Sequence, residues 1–411
     1  MDRQRHDRLD ELTRDPYPLY ARARAADGLT FVPEFDAWLV ARDADVREVL
    51  RRPDDFSSAR VLRGDVYPSA EAFAVLGEGF GGRPFVVSSD GAAHRRLRAP
   101  LVRGLSGARV AALVPYVKER AEALVDSFAG QGQGRVELME AYARRLPGDV
   151  IGRLVGLDPA DVPRVVHGGH QTERLLFRPM GEAAQVALAQ DIVTMQQILD
   201  GYARDRRAAP RDDLCTELVT SLAPGPADEP LTLEQRHELV AQLQNFLLAG
   251  HLTTTALIGT TVFHLLRHRD QWERLTAEPA RIPAAIEEAA RYDTALQAFR
   301  RVTTRAVTLA GTELPEGSEV LVAFGAAGRD AARHPCPDVF DIERRQGGRH
   351  LAFGLGPHAC VGAQLAREQL RITLELLTRR LPGLRLADDR PDVTMRPTLI
   401  HRAPEALHLT W

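Results

Sequence analysis

Residues 233–268 carry a helical pattern uninterrupted by proline, about ten turns at 3.6 residues per turn. Apolar residues fall on several faces of this pattern. A helix apolar on several sides belongs inside a large interior, so the chain is expected to fold around a long buried helix. Thr232, followed three positions later by Gln235, forms a capping-box signal that sets where the helix starts. Its middle reads Leu248-Ala249-Gly250-His251-Leu252-Thr253-Thr254-Thr255. A glycine beside threonines predicts a local distortion there, because threonine hydroxyls bond back to backbone carbonyls.

The rest of the pattern is mostly helical too, at 17–26, 108–129, 139–155, 183–205, 214–221, 284–292 and 363–380. Strand-like stretches fall at 29–32, 37–41, 307–309, 319–322, 393–400 and 406–409. The expected class is therefore mainly α with a small β subdomain formed by about 29–41, 307–322 and 393–411. A chain of 411 residues exceeds the usual size of one core, but its Pro/Gly-rich pieces at 77–83 and 223–230 are too short to separate domains, so we expect one domain over 1–411. A formal charge of -3 argues against a general nucleic-acid binder. Three cysteines, Cys215, Cys336 and Cys360, build no disulfide framework and no zinc spacing, which fits a reducing cytoplasm. The charged N-terminus lacks a signal-peptide core, and no membrane anchor is expected. Abundant Arg, Ala and Leu with scarce Lys fit a GC-rich bacterial genome.

The sharpest chemical signal is Phe353-Gly354-Leu355-Gly356-Pro357-His358-Ala359-Cys360-Val361-Gly362. Gly354 and Gly356 permit a tight loop with unusual dihedrals. Cys360 stands just before a helix start, where backbone N–H groups and the helix dipole favour a thiolate. Gly362, lacking a side chain, lets a flat ligand approach the backbone. Cys215 and Cys336 have no such setting and read as ordinary thiols.

The spacing F-x-x-G-x-x-x-C-x-G resembles the haem-binding segment of the cytochrome P450 family. Three further motifs follow in family order: His94-x-x-x-Arg98, Ala249-Gly250-x-x-Thr253 and Glu288-x-x-Arg291. The resemblance covers almost the whole chain. It implies a triangular prism of helices around haem b, with Cys360 as the axial ligand and Phe353 near its sulfur. It implies that His94, Arg98, Arg301 and His358 meet the haem propionates. It implies a buried Glu288–Arg291 ion pair, often completed by an arginine of a P-x-R-F segment; here Val339 occupies that arginine's place in Pro337-Asp338-Val339-Phe340. It also implies that Ala249 and Gly250 open room for dioxygen and that Thr253 hydrogen-bonds it and helps hold a water.

The family's acidic residue before that threonine is missing: position 252 is leucine, which carries no proton. Thr253 and water alone, a polar substrate group or His251 are the candidate replacements. The implied activity is monooxygenation: one atom of O2 enters a small organic substrate, a bacterial secondary-metabolite intermediate. Electrons would come from a separate ferredoxin and ferredoxin reductase, with Arg95, Arg96 and Arg103 as a candidate basic docking patch. The alternatives are a peroxide-using or atypical oxidative-coupling P450, and a non-catalytic haem-binding sensor or accessory protein. Substrate-facing residues are expected within 57–89, including Val61, Val66 and Tyr67; within 167–180, including His167, His170, Arg174 and Arg178; at 244–248; and at 296–300, where Arg300 could meet an acidic group.

Overall fold

A computed structural model describes residues 3–64, 67–130, 134–344, 349–390 and 392–411, so Val66 lies outside the described residues. The chain divides into two compact units. The first comprises Met1–Ser58, Val114–Leu146 and Thr253–Trp411; the second comprises Ala59–Leu113 and Pro147–Leu252.

Every described strand falls in the first unit. A five-stranded sheet runs in the order Thr30–Val32, Ala37–Val40, Glu319–Ala323, Ala298–Thr303, Phe56–Ser57. Its middle strand pairs parallel with Ala37–Val40 and antiparallel with Ala298–Thr303, and all five of its residues are buried. Side chains alternate along a strand. Val320 and Val322 therefore join a core with Val40, Val46, Val49 and Phe56, while Leu321 and Ala323 join one with Leu19, Tyr20 and Leu39. A three-stranded sheet places His408–Thr410 between Arg135–Glu137 and Arg385–Leu386.

The predicted strand at 393–400 is absent. That stretch makes only one isolated bridge, Met395 to Pro404. Pro397 has no N–H to give a ladder, and Thr398 N–H turns back to Arg396 O at 2.9 Å. The helix expected over 139–155 begins instead with a wider π turn, Met139–Ala143, followed by the α-helix Arg145–Val155.

The second unit is built of helices. Val162–Phe177 and Glu182–Ala208 pass so closely that a Cβ at Gly168 would lie 2.5 Å from Met195 Cβ. Buried amides of Glu182–Ala208 and Leu233–Arg267 tie a loop to the helices of this unit. Gln196 Oε1 accepts from Phe80 N–H at 2.8 Å, and Gln242 binds Val86 N–H and Pro84 O at 3.0 and 2.9 Å. Such side chains satisfy backbone groups that have no ladder partner.

The long helix runs over Leu233–Arg267 without a break, so the distortion expected near Gly250 is not seen. Its capping box forms as read: Thr232 N–H donates to Gln235 Oε1 at 2.9 Å, and Gln235 N–H to Thr232 Oγ1 at 3.3 Å. By length and composition it could cross a membrane, but 78% of its most apolar window is buried inside the protein, as in a core helix.

Candidate active site

The cysteine loop is shaped by its glycines. Gly354 and Gly356 sit at φ of 70° and 73°, and a Cβ at Gly356 would meet Leu50 O at 2.6 Å. Cys360 N–H donates to Phe353 O at 2.8 Å, which closes the loop. The helix Ala363–Arg380 follows with Gly362 as its N-cap. A Cβ at Gly362 would lie 4.0 Å from Cys360 Sγ, so the sulfur stands over the helix start. Cys360 is exposed. One full turn after the cap's neighbour, Arg367 lays its guanidinium 4.2 Å from the centre of the Phe353 ring.

The other cysteines lack this setting. Cys215 is buried, and its thiol is pushed up to about 12 by burial and then by Asp213. Cys336 is exposed at a φ of 45°, away from any described helix N-terminus. No cluster of three His, Cys, Asp or Glu able to hold a metal exists among the described residues. An accessible sulfur left bare by glycines at a helix start is the donor set of an iron porphyrin with a thiolate ligand. The residues present therefore fit haem.

The ion pair the sequence pointed to is formed on the helix Ile282–Tyr292. Arg291 Nε and Nη2 donate to Glu288 Oε2 and Oε1 at 2.8 and 2.7 Å, and both side chains are at most 1% exposed. Arg291 Nη1 also donates to the carbonyls of Gly328 and Pro337 at 2.6 and 2.8 Å. The third charge comes from Arg344, whose Nε donates to Glu288 Oε2 at 3.0 Å. Val339, standing where an arginine was sought, instead offers its carbonyl to Arg291 and Arg344 at 3.2 and 2.9 Å.

His334 is packed beside this cluster, 1% exposed, and neither ring nitrogen has a partner among the described residues. Burial, then Arg291 and Arg344, lower its pKa to about 4. Its unfolded value is near 6.5. The folded state thus binds the proton less well, and stability falls as pH drops from about 6.5 towards 4. After allowance for screening we expect a loss of about 1–2 kcal/mol by pH 4.5. A His334→Leu variant should show a flatter dependence of melting temperature on pH between 6.5 and 4.5.

The remaining first-unit candidates are placed as follows. His358 Nε2 lies 3.1 Å from Ser58 Oγ. Arg301 is buried and donates from Nη1 to Arg300 O at 2.7 Å. Thr253 is half-buried on the long helix. Arg300 is not a free cation for a substrate: its Nη1 is held by Glu319 Oε2 and Phe35 O, both at 2.9 Å.

In the second unit, the helix Gly91–Gly104 carries His94 and Arg98 one turn apart. His94 is 4% exposed; burial, then the Arg98 charge, lower its pKa. Arg96 is paired with Glu238, and Arg103 with Glu217 and Ser221, so two members of the expected basic patch have their charge engaged. Gly250 opens no free space on the side a Cβ would take: that atom would lie 2.5 Å from Ile151 Cδ1, so the glycine lets the helices Leu233–Arg267 and Arg145–Val155 approach. Leu252 is 2% exposed. His251 is buried and its Nε2 meets His170 Nε2 at 3.1 Å, a pairing the sequence did not announce because 81 residues separate the two rings. Of the expected substrate-facing residues, His167 pairs with Asp191 at the surface.

A cysteine thiolate presented in this way defines the class of haem-thiolate proteins. The family model "Cytochrome P450" matches residues 176–408. The chain is 36% identical over 386 residues to Cytochrome P450 144 of Mycobacterium tuberculosis, covering 92% of this chain and 85% of that one. It is 34% identical to the cytochrome P450 monooxygenase PikC of Streptomyces venezuelae, over 97% of this chain and 91% of the other. The mycinamicin IV hydroxylase/epoxidase of Micromonospora griseorubida is also 34% identical, over 92% and 90% of the two chains. Among solved structures, the P450 heme domain of Tepidiphilus thermophilus superposes with a TM-score of 0.88 at 28% identity, over 97% of this chain and 94% of that one. The chain belongs to the cytochrome P450 family and is a monooxygenase that uses haem b.

Proposed function

We propose that this chain, acting as a single functional domain over 1–411, inserts one oxygen atom from O2 into a bacterial secondary-metabolite intermediate in the cytoplasm. Electrons come from a ferredoxin and its reductase. The observation that carries this reading is the exposed Cys360 sulfur over the start of the helix Ala363–Arg380, in a chain related to a cytochrome P450 monooxygenase and a mycinamicin IV hydroxylase/epoxidase. Haem b, when bound, supplies the activation of O2. Cys360 ligates its iron, and His94, Arg98, Arg301 and His358 hold its carboxylates, arginine by its forked donors. Phe353 shields the sulfur, while Gly354 and Gly362 keep the loop close and bare. Ala249, small on the long helix, leaves room at the oxygen side, while Gly250 lets that helix approach Ile151.

Leu252 moves no proton, so the Thr253 hydroxyl and a water it orders carry that task. A Thr253→Val variant is expected to lower product formed per reducing equivalent about tenfold, the modest end for a proton-transfer group because water remains. Leu252→Glu should raise that ratio. Equal ratios in all three proteins would refute the role of Thr253. The absent acid also supports a second reading, a peroxide-driven or atypical P450. Turnover with H2O2 and none with a ferredoxin chain would select it. The primary test is a reduced-CO absorption spectrum, followed by 18O2 incorporation into candidate substrates that shift the haem from low to high spin.

A further inference from the structure

Glu287 and Glu288 are neighbours on the helix Ile282–Tyr292. Successive helical residues point about 100° apart, so two adjacent carboxylates serve two different places. Glu288 serves the buried pair with Arg291. Glu287 reaches the other way, to Arg367: Nε donates to Glu287 Oε1 at 2.6 Å and Nη2 to Oε2 at 2.9 Å. His350 Nε2 meets the same Oε2 at 3.1 Å. Burial opposes the charge on Glu287, but the bonds from His350 and Arg367 outweigh it and hold the carboxyl at about 2, so it stays ionised. Two parallel bonds of this kind fix a guanidinium in plane and direction. The direction is set onto the Phe353 ring, at 4.2 Å, the same residue whose carbonyl holds the Cys360 N–H. Cys360 and Arg367 interact electrostatically.

We propose that Arg367, aimed by Glu287 across the Phe353 ring, is a positioning residue that raises the reduction potential of the Cys360-bound haem. The proposal rests on Cys360 being the ligand. A one-electron reduction adds negative charge to the site, and a cation held nearby favours the more negative state. Arg367 is 39% exposed in its side chain, which limits the effect by screening. Glu287 opposes Arg367 with its own charge while orienting it, so the two residues make predictions of opposite sign.

The experiment is a mediated spectroelectrochemical titration of the haem-loaded protein without any redox partner. Arg367→Gln should make reduction harder by about tenfold in the equilibrium, ~59 mV for a one-electron couple. Arg367→Lys keeps the charge and should stay near the wild-type value. Glu287→Gln removes the negative charge and should shift the potential upward. Reduced-CO spectra of the same samples report thiolate ligation separately, so loss of the ligand is not mistaken for loss of the charge. If Arg367→Gln leaves the midpoint where it was, or Arg367→Lys moves it as far as Gln does, the proposal is overturned. A Glu287→Gln shift in the same direction as Arg367→Gln overturns it as well, because a merely structural defect would move both alike.

Discussion

A Cys360→Ser variant should fold, yet lose the red-shifted reduced-CO band and all reductant-driven turnover. The backbone bond that closes the loop, Cys360 N–H to Phe353 O at 2.8 Å, does not involve the side chain. The glycine dihedrals and the N-cap at Gly362 are equally untouched, so the apo-protein's melting temperature should change little. What disappears is an ionisable sulfur at a helix start. The serine hydroxyl does not ionise near neutral pH and gives the iron no thiolate charge, the property that favours O–O cleavage. We expect turnover to drop by at least about 10³-fold, some 4 kcal/mol of barrier at 1.36 kcal/mol per decade. Cys215→Ala and Cys336→Ser should keep the band, because one thiol is buried with its proton held and the other is exposed outside the loop. A serine variant with an unaltered spectrum would remove Cys360 from the iron.

The features legible in the sequence were the local ones. The loop 353–362 is legible because its spacing, F-x-x-G-x-x-x-C-x-G, resembles the haem-binding segment of the family. The capping box at Thr232 is legible because it spans three residues, and the Glu288–Arg291 pair because its spacing and place in the chain resemble the family's E-x-x-R helix. What escaped were partners set by tertiary folding. Arg344 lies 56 residues from Glu288, Arg367 lies 80 from Glu287, and no periodicity links either pair. The resemblance puts Arg300 near a substrate because it ends the pocket segment 296–300. On a strand, neighbours face opposite sides, and Arg300 turns to Glu319 in the paired strand. Gly250 was read as space for a ligand when its bare side is spent on Ile151. A glycine signals close approach, but the sequence does not say by what. The segment 393–400 reads like a strand, yet Pro397 removes a donor and the pairing ends at the single bridge between Met395 and Pro404.

The Glu288→Gln variant tests the buried charge cluster on the helix Ile282–Tyr292. Glu288 is the only carboxylate described between two arginines there, and it also accepts Asp341 N–H at 2.9 Å. Glutamine matches its shape but brings two donors toward groups that can only donate. One amide oxygen then faces Arg291, Arg344 and the Asp341 N–H, and two guanidinium charges with side chains at most 10% exposed are left uncompensated. Breaking a buried pair by neutralising one partner costs about 3–5 kcal/mol, because the remaining charge stays desolvated. We expect that loss in urea or thermal unfolding, with a matching fall in haem-loaded soluble yield. Arg344→Gln should cost less, since Glu288 keeps both bonds from Arg291, whose other contacts are carbonyls of the chain itself. His334 supplies a cross-check. Its low pKa arises in part from the positive charges of Arg291 and Arg344, so Arg344→Gln should also move its acid-sensitive window upward. If Glu288→Gln were as stable as the parent, the cluster would be an accident of packing.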